Sequence, residues 1–167
     1  MIENELNDNF IESAVVNEMF QNINVLEEKC KSCNGEEIVE IRIRQLAYCK
    51  ILCNVYEKDI IHMIKAYTNL AISYLDINYF EQAQEHILKS LQLYENINDD
   101  LGIATKEYQI KILIILAKCY MENNKLTAAL AICQKCLKMN QTLLGEDHIS
   151  NGDIIYVLAK VIFINLD

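Results

Sequence analysis

At 167 residues with 52% hydrophobic side chains and no low-complexity tract, the chain is long enough for one continuous core and too apolar to be disordered beyond its ends. A net charge of −9 without a lysine-rich cluster excludes the basic stripe that nucleic-acid phosphates require. The start, MIENELNDNF, is acidic and has no apolar signal core, and the longest apolar stretch, Ile154 to Leu166, is interrupted by Lys160 and Asn165 and falls short of the roughly 20 residues that span a bilayer. A cytoplasmic protein without membrane insertion is expected.

In chain order, residues 1–8 read as a frayed, disordered terminus and residues 9–167 as a single domain. From about Asn9 to Lys29, Phe10, Ala14, Met19, Ile23 and Leu26 recur at helical spacing, broadened by Ile11 and Val15, and predict a first helix. Turn chemistry at Asn34 and Gly35 ends it. A second helix runs to about Asn54 with Ile38, Ile41, Leu46, Cys49 and Cys53 on its apolar side, and Glu36 and Glu37 suit its positive N-terminal end. Together, 9–54 form a divergent hairpin or an N-terminal cap.

The clearest hairpin follows, over 60–96. Tyr67, Leu70, Ala71 and Tyr74 share one helix face, a turn falls at Asp76 to Tyr79, and Ala83, Ile87, Ser90 and Leu91 share a face of the next helix. Small residues alternate with bulky ones, so each ridge can enter a groove on the partner. Asn96 to Asp100, aided by Gly102, breaks the pattern. It returns over 103–142: Leu113, Leu116, Ala117, Tyr120, Ala129, Cys133 and Cys136 stand where Tyr67, Leu70, Ala71, Tyr74, Ala83, Ile87 and Ser90 stood, with the turn at ENNK. Half of it returns over 149–165, as Ile155, Leu158, Ala159 and Ile162. Ala71 and Ala117 are 46 residues apart, and Ala117 and Ala159 are 42 apart, a recurrence that predicts a solenoid of about seven helices.

The order aromatic, two residues, Leu and a small residue, two residues, Tyr, then Ala, three residues and an apolar residue resembles the tetratricopeptide repeat, in its longer-period form found in kinesin light chains. Gly145, Glu146, Asp147 and His148 keep most of that family's connector turn, and Glu57, Lys58 and Asp59 keep less of it. The resemblance covers roughly residues 55–167 and implies antiparallel hairpins stacked in an all-α, right-handed superhelix. It also implies an adaptor or scaffold that takes a partner peptide on its concave face. The chain departs from the family in having no proline and in carrying Thr68 and Asn69 where kinesin light chains have two asparagines.

Helical spacing places Lys65, Asn69, Ile72 and Asp76 on the concave side, with Lys111, Ile115, Lys118 and Glu122, and then Asp153, Val157, Lys160 and Ile164. Thr68, Leu75, Ile114, Met121, Tyr156 and Phe163 lie beside them. From these, the candidate peptide-binding residues are Lys65, Thr68, Asn69, Ile72, Lys111, Ile115, Lys118, Tyr156 and Lys160, a set suited to a peptide with acidic and hydrophobic residues. Asn69 is the sharpest of them: an amide can both donate to and accept from an extended backbone, and the resemblance implies that role here. The alternative is a plain solvated face. The apolar positions Ile72, Ile115 and Val157 speak against a carboxylate clamp for chaperone tails.

The last helix is apolar nearly all round, so either the chain continues past Asp167 or this helix meets a second molecule. That motivates a second reading, a structural subunit of a larger cytoskeletal or ciliary assembly or a homo-oligomer, with Val161, Ile162, Phe163 and Ile164 as its interface.

No cofactor or metal is expected. Cys30 and Cys33, and Cys133 and Cys136, make two Cys-x-x-Cys pairs, but about 100 residues separate them and the second pair occupies core positions. An enzyme is not expected either: His62, His86 and His148 are scattered, and the four glycines form neither a phosphate-cradling loop nor a nucleophile elbow.

Overall fold

A computed structural model of the chain describes residues 2–56, 60–97, 103–146, 148 and 150–164, with side chains from residue 12 onward apart from 103–105 and 150. Within them lie seven helices: α1 (Ile2–Cys30), α2 (Gly35–Asn54), α3 (Ile60–Asp76), α4 (Phe80–Glu95), α5 (Ile103–Glu122), α6 (Leu126–Leu144) and α7 (Ser150–Ile164). Each helix packs against its neighbours in the chain, and α3 with α5 and α5 with α7 also touch directly. Phe20 and His62 meet edge to face at 5.2 Å, bringing α1 against α3. The result is an all-α solenoid: α1, α3, α5 and α7 form one layer and α2, α4 and α6 the other.

The repeating spacing is the packing pattern. Leu70, Ala71, Ala83, Ile87 and Ser90 are buried, and so are their counterparts Leu116, Ala117, Ala129, Cys133 and Cys136. Ala71 and Ala83 are wholly enclosed, and both belong to the cluster in which α3, α4 and α5 meet. Small side chains at these crossings let helix backbones approach closely while Ile87 and Leu116 fill the space beside them.

The two internal hairpin turns are built alike. Asn78 (φ 64°) and Asn124 (φ 57°) occupy the left-handed region, which asparagine tolerates better than most residues. Tyr79 N–H donates to Tyr74 O at 2.9 Å, and Lys125 N–H to Tyr120 O at 2.7 Å. Asn78 N–H and Asn124 N–H each donate to the carbonyl three residues back, at 3.0 Å. This double closure satisfies helix carbonyls that would otherwise be unpaired and reverses the chain in three residues.

At the N-terminal end the contact between α1 and α2 is partly polar. Arg42 forks onto the Glu27 carboxylate, and Gln45 Nε2 donates to Glu27 Oε2 at 3.0 Å and to Ile23 O at 3.1 Å. The Arg42 hydrogen bond holds the Glu27 carboxyl below its ordinary value.

Several expectations change. α1 begins at Ile2, not at Asn9, so the helix includes the segment expected to be frayed; extending a helix adds one hydrogen bond for each residue fixed, which is far cheaper than nucleating one. On that helix Ala14 is exposed and Val16 is buried, a shift of the inward stripe. The expectations resting on the side chains of Phe10 and Ile11, on Glu57, Lys58 and Asp59, on Asn98 to Asp100 with Gly102, and on Asp147 lie outside the described residues.

Candidate functional site

The layer of α3, α5 and α7 curves around a cleft of about 980 Å³. Its floor is apolar: Ile72 and Leu75 come from α3, Ile110, Ile114, Ile115 and Met121 from α5, and Val157 from α7. Ile72, Leu75 and Ile114 are half-buried at its surface, whereas Ile110, Ile115, Met121 and Val157 are buried beneath them. The α3–α4 turn supplies Asn78 and Phe80 at one end. At the other, the end of α6 and the connector to α7 supply Asn140, Leu144 and His148.

Charge around the cleft is mixed. Lys111, Lys118 and Lys160 line it together with Asp76, Glu107, Glu122 and Asp153. Lys160 Nζ reaches Glu122 Oε1 at 3.4 Å, while Lys111 Nζ sits 5.6 Å from the centre of the Tyr108 ring. Lys118 is exposed and, among the described residues, has no carboxylate within ion-pair distance. Lys118, with Lys111, therefore offers cationic groups to an incoming ligand, whereas Lys160 is already engaged.

Of the candidate residues, Ile72, Lys111, Ile115, Lys118, Tyr156 and Lys160 come together in this cleft. Lys65 is exposed and Asn69 half-buried on α3, and neither belongs to the cleft lining. Thr68 must be corrected. It is fully buried, its Oγ1 donating to Ile64 O at 2.9 Å and lying 2.8 Å from Ser90 Oγ, because α4 packs across that side of α3. It cannot touch a ligand in this state.

Val161 must also be removed from the proposed assembly interface. It is 1% exposed and packs with Ala117, Met121, Ala129 and Cys133, since its side of α7 is the one turned to α5 and α6. Ile162, Phe163 and Ile164 are exposed, as is Ile155. Sequence spacing missed Asn140, which continues the inward stripe of Ala129, Cys133 and Cys136, and Leu144 and His148, which reach the cleft from a helix end and a connector, where periodicity carries no information. The buried Asn140 within an otherwise apolar stripe was the available signal.

The thiols take no part in the cleft. Cys49, Cys119, Cys133 and Cys136 sit in the core, where burial pushes Cys49 up to about 11 and Cys119 and Cys136 up to about 12. Such groups stay protonated and unreactive at neutral pH. Among the described residues no group of three or more His, Cys, Asp or Glu side chains is gathered to hold a metal ion, and no helix is long and apolar enough to cross a membrane.

Residues 64–97, covering most of α3 and all of α4, and residues 112–150, covering the second half of α5 and all of α6, each match a model of the tetratricopeptide repeat. No curated protein matches the chain. The α3–α4 and α5–α6 hairpins are thus similar to tetratricopeptide repeats, modules that typically serve protein–protein interaction rather than catalysis, and the chain is an all-α solenoid of that kind.

Proposed function

We propose that the chain is an adaptor that holds a segment of a partner protein in the cleft formed by α3, α5 and α7. The observation that carries this reading is the pairing of the half-buried aliphatic residues Ile72, Leu75 and Ile114 in the cleft with two lysines, Lys111 and Lys118, that have no ion partner among the described residues. Apolar side chains of a ligand would displace water from Ile72, Leu75 and Ile114, and carboxylates on it would meet the two lysines. Asp76, Glu107 and Asp153 on the same rim select against a uniformly acidic ligand, so the preferred segment interleaves acidic, apolar and some basic residues. The spacing of 46 and 42 residues between repeat alanines supports the longer-period, kinesin light chain type of repeat. Seven cysteines held as free thiols fit a reducing, cytoplasmic setting.

The test is selection from a random displayed-peptide library by the wild-type chain and by Lys111→Glu/Lys118→Glu. The wild type is expected to enrich sequences combining apolar and acidic residues, with the double variant binding them at least tenfold more weakly. Enrichment unchanged by the double variant overturns the reading. A second reading, a structural subunit joined through its last helix, is favoured by the exposed Ile162, Phe163 and Ile164.

A further inference from the structure

Among the described residues, the first hairpin has a flank that no helix covers. Each later first helix is met by the second helix of the hairpin before it, α3 by α2, α5 by α4 and α7 by α6. The first hairpin gives its other flank to α3: Val39, Leu46 and Cys49 of α2 pack with Met63, Tyr67 and Leu70, and Phe20 of α1 meets His62. By helical spacing, Val25 and Lys29 lie on the far side of α1 from Phe20, and Arg44, Ala47, Tyr48 and Ile51 on the far side of α2 from Leu46 and Cys49.

These residues line a shallow groove of about 470 Å³ between α1 and α2. Its surface is largely apolar: Val25 is 54% exposed, Ile51 39%, and Ala47 is exposed beside the half-buried Tyr48. Seven residues separate Asn22 from Lys29 along one wall, and seven separate Arg44 from Ile51 along the other. The groove is therefore about 10 Å long, two turns of helix. Small Ala47 lets a third helix come close, as Ala71 and Ala83 do inside the solenoid.

Charge in the groove is of one sign. Lys29 and Arg44 stand on opposite walls, and no Asp or Glu lines it. The carboxylates that follow Leu26 on α1 are already taken, Glu27 by Arg42 and Gln45 and Glu28 by Lys31 at 2.7 Å. Glu40, one turn before Arg44, forms no ion pair with it, and among the described residues neither Lys29 nor Arg44 has a carboxylate within ion-pair distance. The concave cleft differs, since its lysines share the rim with Asp76, Glu107, Glu122 and Asp153. The net charge of −9 opposes any surface that presents many negative charges at once, such as an anionic membrane. A helix bringing one or two carboxylates meets the two cations without that repulsion.

We infer that this groove takes two turns of an amphipathic helix from a partner protein. Its apolar side chains lie on Val25, Ala47, Tyr48 and Ile51, and an acidic side chain on each flank meets Lys29 or Arg44. The contact goes beyond the concave-cleft reading and shares no residue with it, so each can fail without the other.

The experiment is selection from a displayed library of helical peptides, randomised along one face, by the full wild-type chain and by Lys29→Glu/Arg44→Glu. Ala47→Asp is a second variant; all three positions are exposed, and each variant is checked for unchanged helicity and melting temperature. The wild type is expected to enrich helices whose apolar stripe is flanked by Asp or Glu. These bind the charge-reversed chain and Ala47→Asp at least tenfold more weakly, and bind Lys111→Glu/Lys118→Glu as they bind the wild type, which separates this groove from the concave cleft. The charge-reversed chain is expected to enrich helices flanked by Lys or Arg instead. No enrichment, enriched helices without an acidic bias, or equal affinity for the charge-reversed chain overturns the inference. Wild-type binding to phosphatidylserine vesicles that the charge reversal abolishes also overturns it, and assigns the groove to a membrane surface.

Discussion

Asn140 on α6 donates from its amide to Asn151 Oδ1 on α7 across 2.8 Å, and both side chains are shut away from water. The Asn151 amide donates in turn to Gly145 O at 3.0 Å and to Glu146 O at 2.9 Å. One buried side chain thus ties the last helix to the preceding one and to the connector between them. Because Asn140 also lines the concave cleft, the same tie shapes the cleft's far wall.

Asn151→Ala should remove three hydrogen bonds at once. The expected cost is about 2–4 kcal/mol, at roughly 1 kcal/mol for each hydrogen bond lost. Hydrogen exchange should localise the damage, with α7 and the end of α6 losing protection while α3 and α4 keep theirs. A uniform loss along the chain would contradict the local tie.

Thr68 and Ser90 form the equivalent polar point between α3 and α4. Their hydroxyls lie 2.8 Å apart, and both reach the Ile64 carbonyl, at 2.9 and 3.0 Å. Thr68→Val and Ser90→Ala should each destabilise by about 1 kcal/mol, because each leaves a buried hydroxyl without its neighbour. The double variant should lose less than the two single losses combined, as nothing unpaired remains between the two side chains. Additive denaturation free energies would show that the two hydroxyls act independently.

How much of this could be read from the chain depends on which forces wrote it. Leu70, Ala71, Ala83 and Ile87 recur as Leu116, Ala117, Ala129 and Cys133 because the same crossing is built twice, and steric fit at a crossing leaves a periodic trace in residue size. The turns were legible for a similar reason, since Asn78 and Asn124 are among the few residues that adopt the left-handed conformation cheaply. Thr68 was misplaced because spacing alone gives a direction around the helix axis and not the width of the neighbour that covers it. A hydroxyl satisfied by Ser90 across the interface is as compatible with the core as with the surface. Leu144 and His148 were missed because they enter the cleft from a helix end and a connector, which follow no period. The apolar character of α7 was plain, but its division into Val157 and Val161 inward and Ile155 and Ile162 outward required knowing where α5 and α6 lie.

His86 lies between two tyrosines of α3, its ring 5.4 Å from that of Tyr74 in nearly parallel planes and 5.9 Å from that of Tyr67. Its Nδ1 is buried without a hydrogen-bond partner. Burial first, then the Lys89 ammonium and, less strongly, that of Lys50 hold its pKa below the ordinary value of 6.5, against an opposing pull from Glu85 that is smaller than that of Lys89. The folded protein therefore prefers the neutral ring. In the unfolded chain His86 takes up a proton as the pH falls through about 6.5, and in the folded chain it does so only at lower pH. Its contribution to stability is thus complete above about 6.5 and drains as the pH falls through the folded value, at no more than about 1.4 kcal/mol per pH unit for one proton. His86→Phe keeps the aromatic stack, removes the unpaired nitrogen and abolishes the titration. Urea denaturation at pH 7.5 and pH 5.5 should show the wild type losing stability over this interval by more than His86→Phe does. Equal losses for the two proteins would assign the pH dependence to other groups, and would leave His86 as a packing residue only.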